Sequence, residues 1–373
     1  MFLPTRRLVL AGISATLVGG AASAPPIGTF APPTGKPEPG LHARAMRKGL
    51  FFGAVIDNST LRTEPAVMAR VVAECGMLGA EGAFRWAELQ ARADHFTFER
   101  ADMLLAFAAR HAMRVRGSPL VWHRAQPAWL EAALAGGKAE QVLTRHVARV
   151  GGHFRGRLAQ WDVAKDPLRP EDGKPRGMRD GAWLRALGAR FPSIAFAACA
   201  AADPGALRVL SQEGLDYGDA GSERRRGALL ELLAAMKAEG VPVQAVGLQG
   251  HLEAGRQDFD QGKLAKLCAD VAGLDLKIIV TELRVDDRGL PGSVARRDAA
   301  VAAHARAWLD AVLVCPAVVG VVCAGLTDRR SVLNEQAPRP DGRPQRPHPL
   351  GTDLRRKPLW LALAAGFDMA PGR

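Results

Sequence analysis

The chain has 373 residues, 48% of them hydrophobic, which allows one large domain or two ordinary ones and excludes a low-complexity or disordered chain. Its formal net charge is +12, yet the basic residues are not interleaved with stacking aromatics and there is a single Tyr, which argues against a nucleic-acid partner. An Arg-rich set of solvated faces explains most of the charge, and an acidic polysaccharide remains a compatible partner.

The first 24 residues combine a charged start, a short apolar run and small residues, the pattern of a secretory signal. Thr5-Arg6-Arg7 followed by Leu8-Val9-Leu10 points to the twin-arginine type. Ala22-Ser23-Ala24 fits a cleavage site, although Pro25 is a poor neighbour for the cut. An uncleaved anchor is the alternative, but the apolar run is short for a span. The expectation is export to the periplasm or beyond, with no stable membrane insertion after signal removal. Residues 25–40, rich in Pro and Gly, read as a linker, and residues 41–373 as the folded domain.

Along that domain short β-type runs alternate with helical ones. The strand candidates are Leu50–Val55, Met77–Glu81, Val115–Trp122, Leu158–Ala164, Leu207–Ser211, Ala245–Gln249, Lys277–Glu282 and Val318–Ala324. Between them lie amphipathic segments such as Phe98–His111, Glu140–Phe154, Arg224–Glu239 and Arg296–Val312, the first of them preceded by a candidate capping box at Thr97-Phe-Glu-Arg100. Eight strands alternating with helices predict an α/β fold, a (β/α)8 TIM barrel, with a doubly wound open sheet as the alternative. No Gly-rich phosphate loop follows the first strand, which argues against a nucleotide-binding sheet.

In a parallel barrel the chemistry gathers at the C-terminal ends of the strands. Trp122, His123 and Glu282 stand at such ends. The cysteines, Cys75, Cys199, Cys268, Cys315 and Cys323, are odd in number; one disulfide between Cys315 and Cys323 suits an exported chain, and five buried thiols are the alternative. No His/Cys cluster has metal-ligand spacing.

The residues resemble glycoside hydrolase family 10, the endo-β-1,4-xylanases, from about Gly49 to Ala365. The resemblance is carried by Phe52-Gly53-Ala54, Glu81 with Arg85-Trp86, Phe96-Thr-Phe98, Arg116-Gly117, Leu120-Val-Trp-His123, Trp161-Asp162-Val163, Gly247-Leu-Gln249 with His251, Thr281-Glu282-Leu283, Gly325-Leu-Thr-Asp328 and Lys357-Pro358, in that order. It implies a retaining glycosidase acting on a β-1,4-linked xylan-type polysaccharide, a monomer, with two carboxyl groups and no cofactor. By the same resemblance Glu282 is the nucleophile, and the cleft residues are Glu81, Arg85, Trp122, His123, Lys165, Gln249 and His251, with His251 bonded to the nucleophile. Trp86 and Trp161 read as core rather than sugar platforms.

The departures from the family pattern are pointed. The acid/base Glu is expected at the end of the fourth strand in Trp-Asp-Val-Val-Asn-Glu, and here the stretch reads Trp161-Asp162-Val163-Ala164-Lys165-Asp166. Asp166 retracts the carboxyl by about 1 Å, a displacement that can cost about a hundredfold in rate. Lys165 replaces an Asn that would hydrogen-bond the sugar 2-hydroxyl, and its charge is expected to lower the pKa of both nearby carboxyls. Ser118 replaces a His, Gly82 an Asn, Arg284 an Asp, and Ala324 and Val332 two Trp walls. The expectation is a hydrolase of reduced or altered activity, with a non-catalytic binding barrel as the alternative.

Overall fold

The computed structural model describes residues 38–373. The expected signal segment and most of the expected linker lie outside the described residues. Eight parallel strands follow one another: β1 Phe51–Ile56, β2 Met77–Ala80, β3 Arg114–Gly117, β4 Gln160–Lys165, β5 Leu207–Gln212, β6 Ala245–Leu248, β7 Lys277–Asp286 and β8 Val318–Cys323. Each pairs with its successor, and β8 also pairs with β1 through Phe51↔Gly320 and Ala54↔Cys323, so the sheet closes into a barrel and the open-sheet alternative falls.

Seven helices return the chain between strands and an eighth follows β8: α1 Pro65–Glu74, α2 Glu99–Arg110, α3 Ala139–His153, α4 Phe191–Ala202, α5 Ala220–Ala238, α6 Gln261–Gly273, α7 Val294–Leu313 and α8 Pro358–Met369. Their starts are set locally. The Asp219 carboxylate accepts from the N–H groups of Gly221 and Ser222, Asp260 accepts from Lys263 N, and Ser293 from Arg296 N. Proline opens α1 and α8, where its missing N–H costs no helical bond. The expected capping box at Thr97 does not form. Phe98 occupies the cap position of α2 without a side-chain bond, because the residue three places after Thr97 is Arg100, which cannot accept the return bond.

The predicted third strand is broken. Its ladder stops at Gly117, crosses Ser118-Pro119 and resumes as the two-residue segment Val121–Trp122, paired with β4 at Ala164 and Lys165. Proline has no N–H to give the ladder. The expected strand at Lys277–Glu282 instead runs on to Asp286, because His251–Glu253 pairs with its far half.

The barrel is filled in layers. Phe51, Met77, Val209, Ala245, Ile279 and Val322 pack an apolar plug. Phe51 lies over Gly320, where an added Cβ would come within 2.5 Å of its ring. Another packed set lies between strands and helices and includes Trp86 and Trp161, core residues as expected. Trp161 covers Gly117, which has no room for a side chain. The five cysteines are all buried and unpaired, so the expected Cys315–Cys323 disulfide is not present; the two thiols lie at opposite ends of β8. Among the described residues no helix is long and apolar enough to cross a membrane.

The chain ends are joined to the barrel by one buried carboxylate. Glu74 Oε2 accepts from Leu41 N at 2.9 Å and Trp360 Nε1 at 3.0 Å, while Oε1 meets Arg356 at 3.1 Å. Removing it would strand two donors and a guanidinium. Glu74→Ala is expected to lower unfolding free energy by about 3–5 kcal/mol in denaturant titration, and Glu74→Gln by less.

Candidate active site

The strand ends open on a cleft of about 840 Å³. Beneath it lies a buried polar layer. Arg116 on β3 pairs with Asp162 on β4 and donates to the Thr281 carbonyl of β7 at 3.2 Å. Ser118 Oγ donates to the other Asp162 oxygen at 2.8 Å. This layer fixes the rims of three strands relative to one another.

Eight of the nine predicted site residues line the cleft: Glu81, Arg85, Trp122, Lys165, Asp166, Gln249, His251 and Glu282. They come from the ends of β2, β4, β6 and β7 and the short segment beside β4. His123 is not among them. It lines the adjoining cavity, which shares Trp122, Lys165 and Asp166 with the cleft and is bounded farther out by Arg179, Trp183 and Arg185. Its Nε2 accepts from Arg124 Nε at 3.1 Å. Burial, aided by Arg179, pushes its pKa down to about 4.

Glu282 is held from two sides. Lys165 Nζ forms a direct ion pair with its Oε1, and His251 Nε2 lies 3.4 Å from its Oε2 without completing a hydrogen bond. Both Lys165 and Glu282 are largely withdrawn from water, with side-chain exposures of 8% and 17%. Burial acts to raise the Glu282 carboxyl, but the Lys165 ammonium outweighs it and holds the group well below the usual carboxylate range. Burial lowers the His251 pKa, and the neighbouring Arg284 adds to the shift.

Asp166 follows β4 directly in a left-handed backbone conformation, φ 52°. Its Oδ2 accepts from Trp122 Nε1 at 2.9 Å; its Oδ1 accepts from Gln249 Nε2 at 2.6 Å and Glu213 N at 2.9 Å. Burial raises its pKa to about 6, with Glu213 adding to the rise and Lys165 opposing it. The sequence led us to expect Lys165 to depress both carboxyls. It acts downward on both, but at Asp166 burial and the nearby Glu213 carboxylate outweigh it, and only Glu282 ends below its ordinary value. The two groups are therefore split: one ionised, one holding its proton into weakly acidic conditions.

The sequence reading passed over Glu213 and Arg179 as site residues. Glu213 Oε1 accepts from Arg179 Nη2 at 3.0 Å, and Arg179 Nε donates to the Asp166 carbonyl at 2.9 Å, so this pair fastens the β4 and β5 loops around Asp166. The signal available was the alignment of Glu213 with the fifth strand end, where a cleft residue is expected. Among the described residues no cluster of three or more His, Cys, Asp or Glu is arranged to hold a metal ion.

The model of glycosyl hydrolase family 10 matches residues 40–365. The chain belongs to that family. Endo-1,4-β-xylanase 3 of Hypocrea jecorina is 29% identical over 286 residues, 76% of each chain. Endo-1,4-β-xylanase B of Paenibacillus barcinonensis is 32% identical over 237 residues, covering 62% of this chain and 68% of its own. The crystal structure of native xylanase 10B from Thermotoga maritima superposes with a TM-score of 0.78 at 24% identity, covering 88% of this chain and 98% of that one, a likeness of fold. This family 10 chain is thus a glycoside hydrolase by descent, whose cleft carries a lysine against its strand-7 carboxylate. Two motif fragments that carried the resemblance meet in the fold: Lys357 Nζ donates to Asp328 Oδ2 at 2.7 Å.

The Lys165–Glu282 contact can be isolated by a double-mutant cycle. Lys165→Ala is expected to destabilise the protein by about 3 kcal/mol in denaturant unfolding, because it leaves a buried carboxylate alone. In a Glu282→Gln background the same change should cost about 1 kcal/mol or less. Equal costs in both backgrounds would mean that the ammonium does not rest on the carboxylate.

Proposed function

We propose that this chain is an exported retaining glycoside hydrolase acting on a β-1,4-linked, xylan-type polysaccharide at a reduced rate, with Glu282 as nucleophile and Asp166 as acid/base. The observation that carries the reading is the split between the two carboxyls, Glu282 ionised and Asp166 raised to about 6. Retaining hydrolysis requires that division of labour. Glu282 would attack the anomeric carbon while the glycosidic C–O bond breaks and the Asp166 proton passes to the leaving oxygen. The Asp166 carboxylate would then take a proton from water, whose oxygen attacks the anomeric carbon and releases Glu282.

The slow rate follows from two features. Asp166 is short for its task and already accepts three hydrogen bonds, which resist its movement toward a substrate. Lys165 lowers the negative charge available at Glu282, and an attacking oxygen must leave that ammonium. Export rests on the Thr5-Arg6-Arg7 leader, and the domain division and the polysaccharide partner are parts of the same proposal.

The Lys165–Glu282 pair also favours a second reading, a barrel that binds glycans without cleaving them. A cation seated on the nucleophile neutralises it as a structural pair would.

An activated aryl β-xyloside separates the two readings, since a good leaving group needs little acid assistance. Hydrolysis should be slow and should fall to background in Glu282→Ala. Asp166→Ala should suppress turnover of xylan about a hundredfold or more while sparing the aryl substrate. Acid-dependent turnover needs Asp166 protonated, so kcat/KM on xylan should decline as pH rises through about 6, and the acid limb should fall below the usual Glu range because Glu282 is depressed. No turnover above the Glu282→Ala background on a panel of aryl glycosides, together with measurable xylo-oligosaccharide binding, would establish the binding barrel instead.

A further inference from the structure

The cleft contains more cations than its own carboxylates neutralise. Glu282 is paired with Lys165, and Glu213 with Arg179. Arg85, Arg124 and Arg284 also line the cleft, and none of the three forms an ion pair with a described carboxylate. Arg85 and Arg124 rest near the Trp122 ring, at 5.9 and 5.7 Å from its centroid. Arg124 is exposed and needs no partner, and Arg85, half-buried, lies in the field of the Glu81 carboxylate.

Arg284 is different. It lies two residues after Glu282 on β7, so both side chains project from one face of the strand, and both are only partly exposed. Its one side-chain hydrogen bond runs from Nη2 to His251 Nδ1 at 3.4 Å, a long contact to a neutral ring. Glu282 attracts it along the strand without forming an ion pair with it, so the desolvation cost of the half-buried guanidinium is only partly offset. The neighbouring strand end leaves space beside it: Ala324, whose N–H donates to the Leu283 carbonyl at 3.0 Å, and Val332 line the same cleft with small side chains.

We propose that Arg284 is a specificity-determining residue that receives the carboxylate of a uronic acid, so that the preferred ligand of this cleft is a uronate-bearing β-glycan rather than a neutral one. The planar fork of Arg matches a carboxylate with two parallel hydrogen bonds, and a sugar carboxylate would supply a counter-charge in direct contact. Arg85 and Arg124 would add attraction at longer range, screened by salt. The inference rests on the glycan-cleft reading above, but it concerns binding and stands whether or not turnover is fast.

Calorimetric titration of the full chain tests it with four ligands: xylotetraose, xylotetraose carrying one glucuronate branch, the same oligosaccharide with its carboxyl reduced to a hydroxymethyl, and a β-1,4-linked oligoglucuronate. The branched acid, the oligoglucuronate or both should bind about tenfold or more tightly than the reduced ligand, with a gap that narrows at high salt. Which acid binds distinguishes a branch carboxylate from a main-chain one. The gap should close in Arg284→Gln and be partly restored in Arg284→Lys, which keeps the charge and loses the fork; thermal unfolding identifies any variant that fails to fold. Equal affinity for acid and reduced ligands would overturn the proposal while leaving a glycan cleft. A gap that persists in folded Arg284→Gln would overturn the assignment to Arg284. Absence of binding to all four would overturn the glycan reading itself.

Discussion

A guanidinium buried inside the barrel is the constraint on which the site depends. Arg116 is 1% exposed and Asp162 0%, and the pair spans β3 and β4 while reaching the backbone of β7. Neither charge is tolerable there alone, so the three strands that carry Trp122, Asp166 and Glu282 are fixed at one height. The apolar plug below and the open cleft above leave the polar layer no alternative arrangement. The geometry of the rim is therefore a consequence of core packing rather than of the loops.

Above that layer the electrostatics is built from unequal dehydration. Glu282 and Asp166 share a cleft and a lysine, yet they move in opposite directions. Glu282 has the ammonium in direct contact, which outweighs its burial. Asp166 has only neutral donors in contact and Glu213 nearby, so burial prevails. One departure from the family pattern, Lys165, thus shifts Glu282 far more than Asp166. The half-buried Arg284 extends the same theme, since the cleft now gathers positive charge where the family pattern places a carboxylate.

The local steps of the fold were legible in the chain. The eight β-type runs fall within a few residues of the eight strands, because buried parallel strands need continuous apolar runs. Glu282, Gln249 and Trp122 could be placed at strand ends for the same reason. The break at Ser118-Pro119, the absence of a cap at Thr97 and the extension of β7 to Asp286 were not foreseen, since each depends on which donor or neighbouring strand is at hand.

The sequence by itself determined the barrel and the family, because apolar periodicity and motif order are local properties of a chain. Only the tertiary structure decided how those residues interact. Lys165 meets Glu282 across 117 residues, Asp166 owes its retained proton to burial, and His123 lines a cavity beside the cleft, with Trp122 shared between the two. The cysteines remain thiols because the fold holds Cys315 and Cys323 at opposite ends of one strand. Contact, dehydration and facing direction are properties of the closed barrel, and no stretch of the chain contains them before it folds.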